Sequence, residues 1–138
     1  MGISFSCYPT IKADNHNHAQ RLRKTNRMKY GAKKDANHDE VFEAIRKHTA
    51  ANDFSSAGRG IPDGVAWIDG GWQFFDVKNP ETSYGKKGLN KLQKDWASKW
   101  NGGPVYLIYT AKEGEQFARG DYKGIKCYPP EKHPLYKE

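Results

Sequence analysis

Asp76 and Lys78 stand two residues apart at the end of the run Trp72-Gln-Phe-Phe-Asp-Val-Lys. Side chains alternate along an extended strand, so Trp72, Phe74, Asp76 and Lys78 share one face and Gln73, Phe75 and Val77 the other. An acid and a lysine that continue an apolar face need a reason, because burying an uncompensated charge is costly. A second acid, Asp63, lies thirteen residues upstream, across a hairpin signal made by Gly64-Val-Ala-Trp-Ile-Asp and Gly70-Gly71. If Asp69-Gly70 is a two-residue turn, Asp63 falls opposite Asp76. If Gly70-Gly71 is the turn, Asp63 falls opposite Lys78 and diagonal to Asp76. Either loop gathers the three side chains on one face within about 5–8 Å. A three-residue loop would send Asp63 to the other side unless a bulge compensated.

Two carboxylates that close repel each other unless a proton or a cation intervenes. Mg²⁺, with Mn²⁺ as a substitute, suits the pair, because hard divalent cations prefer oxygen ligands and accept one or two carboxylates beside several waters. Lys78 beside such an ion can orient or help deprotonate a water, or stabilise charge developing on a phosphate. The simpler alternative is an ordinary Asp76–Lys78 ion pair at a sheet end, with Asp63 a turn residue.

The elements that must hold these residues follow from periodicity. Asp35 or Asn37 can cap a helix running to about His48 or Thr49, with Val41, Ala44, Ile45 and His48 as its apolar stripe and Phe42 to one side. A short strand fits around Phe54, followed by the two hairpin strands. A second helix spans about Leu89 to Trp100, with apolar residues at 89, 92, 96 and 100. Val105 to Tyr109 is the continuous apolar run of a buried central strand. Beyond Glu113 the pattern weakens, and Pro129-Pro130 and Pro134 suggest an extended tail. The expectation is an α/β domain in which a mixed sheet carries a helix on each side.

Charge divides the chain. Residues 1–34 carry eight Lys/Arg against Asp14 and so hold the whole net charge of +7; residues 35–138 carry 15 of each sign. A basic arm beside a neutral domain fits a polyanionic partner, nucleic acid first among them, or else a solubilising tail. The expected organisation is a weakly ordered arm (1–34), a core (35–112) and a C-terminal extension (113–138). No apolar run is long enough for a membrane span. Cys7 and Cys127 lack close partners, which excludes a CxxC zinc site and points to a reducing, cytoplasmic setting. Asp14-Asn-His16-Asn-His18 has the look of a His-metal motif, but it lacks supporting glycine or cysteine context.

With Pro62-Asp63 followed by Asp76-Val77-Lys78, the chain resembles the PD-(D/E)XK nuclease superfamily. Gly58-Arg-Gly-Ile-Pro-Asp is similar to the lead-in of small phage and bacterial members of the VRR-NUC and Holliday-junction-resolvase-like groups. Asp35-Ala-Asn-His-Asp-Glu-Val resembles the start of their first helix, with His38 in place of the usual Gln. Leu89-Asn-Lys-Leu-Gln-Lys-Asp-Trp-Ala-Ser-Lys-Trp resembles their second. The similarity covers roughly residues 33–112. It implies a restriction-endonuclease-like αβββαβ core and Mg²⁺- or Mn²⁺-dependent hydrolysis of phosphodiester bonds in DNA, on branched or replication and recombination intermediates. It also implies Asp63, Asp76 and the Val77 carbonyl as metal ligands. A phage or bacterial setting follows from the resemblance and the size alone.

In that frame Glu40 is the usual first-helix acid. It lies about 40° from Ala44 on the helical wheel, so it borders the apolar stripe and can join the catalytic and metal-binding set; otherwise it is a surface charge favoured by the helix dipole. Gln93, at the edge of the second helix's buried face, supports the site in relatives. Arg59, Lys86 and Lys87 in flanking loops, and Arg21, Arg23 and Lys24 in the arm, are candidate phosphate contacts. Trp96 and Trp100 read as helix core, and Trp67 and Trp72 as hairpin packing. Junction cleavage would favour a homodimer with paired sites. The rival readings are a binding module that does not cut, and a ribonuclease.

Overall fold

Asp69 and Gly70 both take positive φ, 52° and 80°. That is the backbone of a type I′ turn, and Asp-Gly is a preferred pair for it. The turn joins β2 (Gly64–Ile68) to β3 (Gly71–Val77), and sets Gly64 against Phe75 and Ile68 against Gly71. Of the registers open to the sequence, this one puts Asp63 opposite Asp76.

These strands belong to a five-stranded mixed sheet of order β1-β2-β3-β4-β5 in the computed structural model, which describes residues 35–137. β1 (Ala51–Asp53) and β2 are antiparallel, β3 and β4 (Val105–Ile108) parallel, and β5 (Lys126–Tyr128) antiparallel to β4. Helix α1 (His38–Arg46) precedes the sheet. A single turn, α2 (Ser83–Lys86), and α3 (Lys91–Lys99) cross from β3 to β4, and α4 (Ala111–Ala118) lies between β4 and β5. The protein is therefore mixed α/β. No helix among the described residues is long and apolar enough to cross a membrane.

Alternation along β3 divides the core in two. Phe75 and Val77 join Val41, Phe42, Ile45 and Phe117 under α1 and α4. Phe74 turns to the opposite face, with Leu89, Trp96, Ala97 and Leu107 under α3. Every residue of β4 is buried, as its apolar run requires.

Several expectations are corrected. The chain beyond Glu113 is no extended tail: α4 packs on α1 and buries Phe117 completely, and β5 completes the sheet. Gly114 permits that packing, since a Cβ there would sit 3.3 Å from the Val41 carbonyl oxygen and 3.4 Å from Ile45 Cγ1. The strand expected around Phe54 ends at Asp53. His48 lies beyond the end of α1, exposed and 3.2 Å from Glu115, rather than on the apolar stripe. Leu92 is 61% exposed, because α3 is rotated to bring Gln93 inward. Trp67 and Trp72 pack edge-to-face at 5.1 Å across the hairpin, yet each stays nearly half exposed.

Candidate active site

Asp63, Asp76, Lys78 and Gln93 meet on the α3 side of the sheet, at the carboxyl end of β3. Two main-chain bonds tie the acids together. The Asp63 N–H donates to Asp76 Oδ1 at 3.1 Å, and the Val77 N–H donates to Asp63 Oδ2 at 2.8 Å. Asp76 is 1% exposed and Lys78 4%, and Lys78 Nζ lies 2.8 Å from Asp76 Oδ2. The ion pair is thus buried, where removing one partner leaves an uncompensated charge.

Gln93 clamps this pair. Its Nε2 donates to Asp76 Oδ2 at 3.1 Å, and its Oε1 accepts from Lys78 Nζ at 3.0 Å. The same Oε1 accepts the Asn90 N–H at 2.9 Å, while Asn90 Oδ1 accepts the Gln93 N–H. This reciprocal capping box starts α3, so one amide both opens the helix and orients the acid and the lysine. The loop before Asp63 is pressed onto the same turn. A Cβ on Gly60, whose φ is +80°, would lie 2.4 Å from the Leu92 carbonyl oxygen, so only glycine fits there.

Burial and the neighbouring Asp76 charge push the Asp63 carboxyl up to about 7, against the opposing pull of the Val77 N–H and Lys78. Asp35 also raises Asp63. Its own carboxyl is held above the usual range by burial and by Asp76, with Lys78 and His38 acting in the opposite direction. Asp35 thus feels the charges of the pair, a placement not apparent from the sequence, which offered it as a helix cap and as the start of the Asp35-Ala-Asn-His-Asp-Glu-Val motif. What brings it there is Asn37, which makes no cap bond. Its Nδ2 donates to the carbonyls of Lys78 at 3.1 Å and Tyr109 at 2.7 Å, pinning the start of α1 across the ends of β3 and β4. Asn37 Oδ1 is buried without a partner among the described residues.

Among the described residues Glu40 is joined to this cluster by no hydrogen bond or ion pair. It is exposed on α1 and lines a groove of about 630 Å³ with Asp39, Glu43, Glu81, Asn79 and Tyr109. Four carboxylates make that groove a poor path for a polyanion. Val77 buries its side chain under α1 and α4. Arg59, Lys86 and Lys87 are exposed, Lys86 and Lys87 at the end of α2 and Arg59 next to Gly60 where the loop meets α3. Arg21, Arg23, Lys24 and the Asp14, His16, His18 motif lie outside the described residues.

The donors that converge are all oxygen: the Asp63 and Asp76 carboxylates, with Asp35 nearby. Among the described residues no group of three or more His, Cys, Asp or Glu side chains is placed to hold a metal ion. Two carboxylates completed by main-chain oxygen and water are a set that Mg²⁺ accepts and that soft metals do not favour. No protein-family model, curated protein or solved structure matches the chain.

Proposed function

We propose that the protein is a divalent-metal-dependent endonuclease of the PD-(D/E)XK type, built on a restriction-endonuclease-like core and hydrolysing phosphodiester bonds in DNA. The observation that carries this reading is the pairing of half-buried Asp63 with buried Asp76, in which burial first and the Asp76 charge second push the Asp63 carboxyl up to about 7. A structural ion pair needs one carboxylate; the second, with Asp35 behind it, supports a cation. Asp63 and Asp76 would hold Mg²⁺ or Mn²⁺, with the Val77 carbonyl as a third oxygen. Such an ion, when bound, neutralises phosphate charge and makes water a stronger nucleophile.

The remaining chemistry belongs to the chain. Lys78, buried and held by Gln93, presents an ammonium group beside the acids to a water or to a phosphate oxygen carrying developing charge. Gln93 orients the ammonium group that also contacts Asp76. Burial of both charges limits competing solvent, which strengthens these contacts. Because the groove on the α1 side is acidic, the nucleic acid approaches from the α3 side, where Arg59, Lys86 and Lys87 flank the site.

The test is cleavage of supercoiled plasmid and a labelled four-way junction with Mg²⁺, Mn²⁺ or EDTA, comparing wild type with Asp76→Asn. Metal-dependent cutting by wild type alone supports the reading. Failure to cut either DNA, with the protein folded and the ion bound, moves the reading to RNA or to a binding module.

A further inference from the structure

β4 runs parallel to β3 with Ile108 beside Val77, so the next residue, Tyr109, stands beside Lys78 at the carboxyl end of the sheet. Its ring lies on the α3 face with Leu107 and Phe74. The main chain of Tyr109 is held on both sides: its N–H donates to Glu113 Oε1 at 2.8 Å, and its carbonyl accepts from Asn37. Among the described residues its hydrogen bonds are made by the main chain and not by the hydroxyl, and the residue is half-buried. Buried tyrosines ordinarily satisfy that group. Here a firmly placed ring ends in a hydroxyl without a partner among the described residues, which feels the charges of Lys78, Glu113 and Asp76.

A second cation shares the position. Lys126, exposed on β5, holds its Nζ 5.5 Å from the centre of the Tyr109 ring. Tyr109 also borders the groove lined by Glu40, Glu43 and Glu81, whereas Lys126 brings a cation to its ring. Lys126, Tyr109 and Lys78 thus form a row across β5, β4 and β3, leading toward the paired acids.

Building on the nuclease reading, we propose that the Tyr109 hydroxyl donates a hydrogen bond to a phosphate oxygen of the nucleic-acid strand beside the bond to be cut, and that Lys126 draws that phosphate to it. The pair is a substrate-positioning site. The strand crosses the carboxyl end of the sheet from β5 toward β3, and its register against Asp63 and Asp76 is set by a neutral donor rather than by charge alone. Charge contributes affinity without fixing position, whereas a hydroxyl on a rigid ring fixes position.

The experiment uses the full chain and a fluorescein-labelled four-way junction and duplex. Affinity is measured by anisotropy in Ca²⁺ over a range of salt, and single-turnover cleavage in Mg²⁺. Tyr109→Phe removes one oxygen and leaves the ring, so folding is preserved and confirmed by thermal melting. We expect its cleavage rate to fall about tenfold with little change in affinity. Lys126→Ala is expected to weaken binding to both DNAs and to reduce the salt slope of log K by about one, while Lys112→Ala on α4 changes neither. A wild-type rate for Tyr109→Phe together with an unchanged salt slope for Lys126→Ala overturns the inference and leaves the nuclease reading standing. Wild type that neither binds nor cuts overturns both. If wild type binds without cutting, the nuclease reading falls and the Lys126 slope alone decides whether the phosphate contact exists.

Discussion

Asp63 and Asp76 are held together through their own backbones, not merely set opposite one another. The Asp63 amide donates to the Asp76 carboxylate, and Asp63 in turn accepts from Val77, the residue after Asp76. Asp63 therefore spends one oxygen on the strand of Asp76, while Asp76 gives Oδ1 to the Asp63 amide and Oδ2 to Lys78 and Gln93. The hairpin end is rigid because the acids staple it.

That arrangement makes cation affinity depend on pH. Asp63, raised to about 7, is largely protonated in the metal-free protein at pH 6, so binding must expel a proton. Mg²⁺ affinity should fall steadily as pH drops from 8 to 6. Calorimetry in buffers of different ionisation enthalpy should show close to one proton released near pH 6. No proton release there would remove Asp63 from the ligand set.

The same shift carries a stability sign. A carboxyl whose folded-state value is raised contributes stability that is full below its unfolded value near 3.8 and is lost as pH rises through about 7. Metal-free protein should melt higher at pH 5 than at pH 8. Asp63→Asn, which can still accept the Val77 N–H, should raise the melting temperature at pH 8 and flatten this difference. A pH-dependent difference equal in both proteins would mean that other groups set it.

Asp76→Ala leaves Lys78 charged in a site where it is 4% exposed, and should cost roughly 3–5 kcal/mol of stability. Asp76→Ala combined with Lys78→Met should recover most of that loss, since both charges are gone. Urea denaturation of the two singles and the double gives the coupling directly. Additive losses would show that the pair is not energetically linked.

Asp35 and Glu40 can be told apart. Asp35→Asn should weaken Mg²⁺ binding about tenfold, in the range typical of groups that support a metal site. Glu40→Gln should leave affinity within about twofold, because the side chain faces the groove beside Glu43 rather than the paired acids. The reverse result would restore the first-helix glutamate as the third acid.

Phe117→Ala should destabilise the protein by about 3–5 kcal/mol, since the ring is fully buried against Phe75 and Tyr106. A chain ending at residue 112 should not fold cooperatively. A stable truncation would mean that α4 and β5 are accessory.

Strand alternation was legible from residue types alone. It put Asp76 and Lys78 on one face and Phe75 and Val77 on the other, because the two-residue period admits no other arrangement. The Asp69-Gly70-Gly71 signal offered two two-residue turns, both of which gather Asp63, Asp76 and Lys78, and left open a three-residue loop that does not. The full burial of β4 was legible as well. Choosing between the registers was a matter of which residues take positive φ, and the sequence allowed either glycine-containing pair. α4 escaped notice because Ala-Lys-Glu-Gly-Glu-Gln-Phe-Ala has a central glycine and few apolar residues; contact with α1 makes it a helix, not intrinsic propensity. Asp35 comes near the site through long-range bonds from Asn37, which spends its side chain on strand ends instead of capping its own helix, and Tyr109 through the parallel pairing of β4 with β3. Local pattern thus determined which residues face the chemistry along a strand. Tertiary structure decided which distant acid and which hydroxyl join them, because those positions depend on strand pairing and on hydrogen bonds between segments 41 and 72 residues apart.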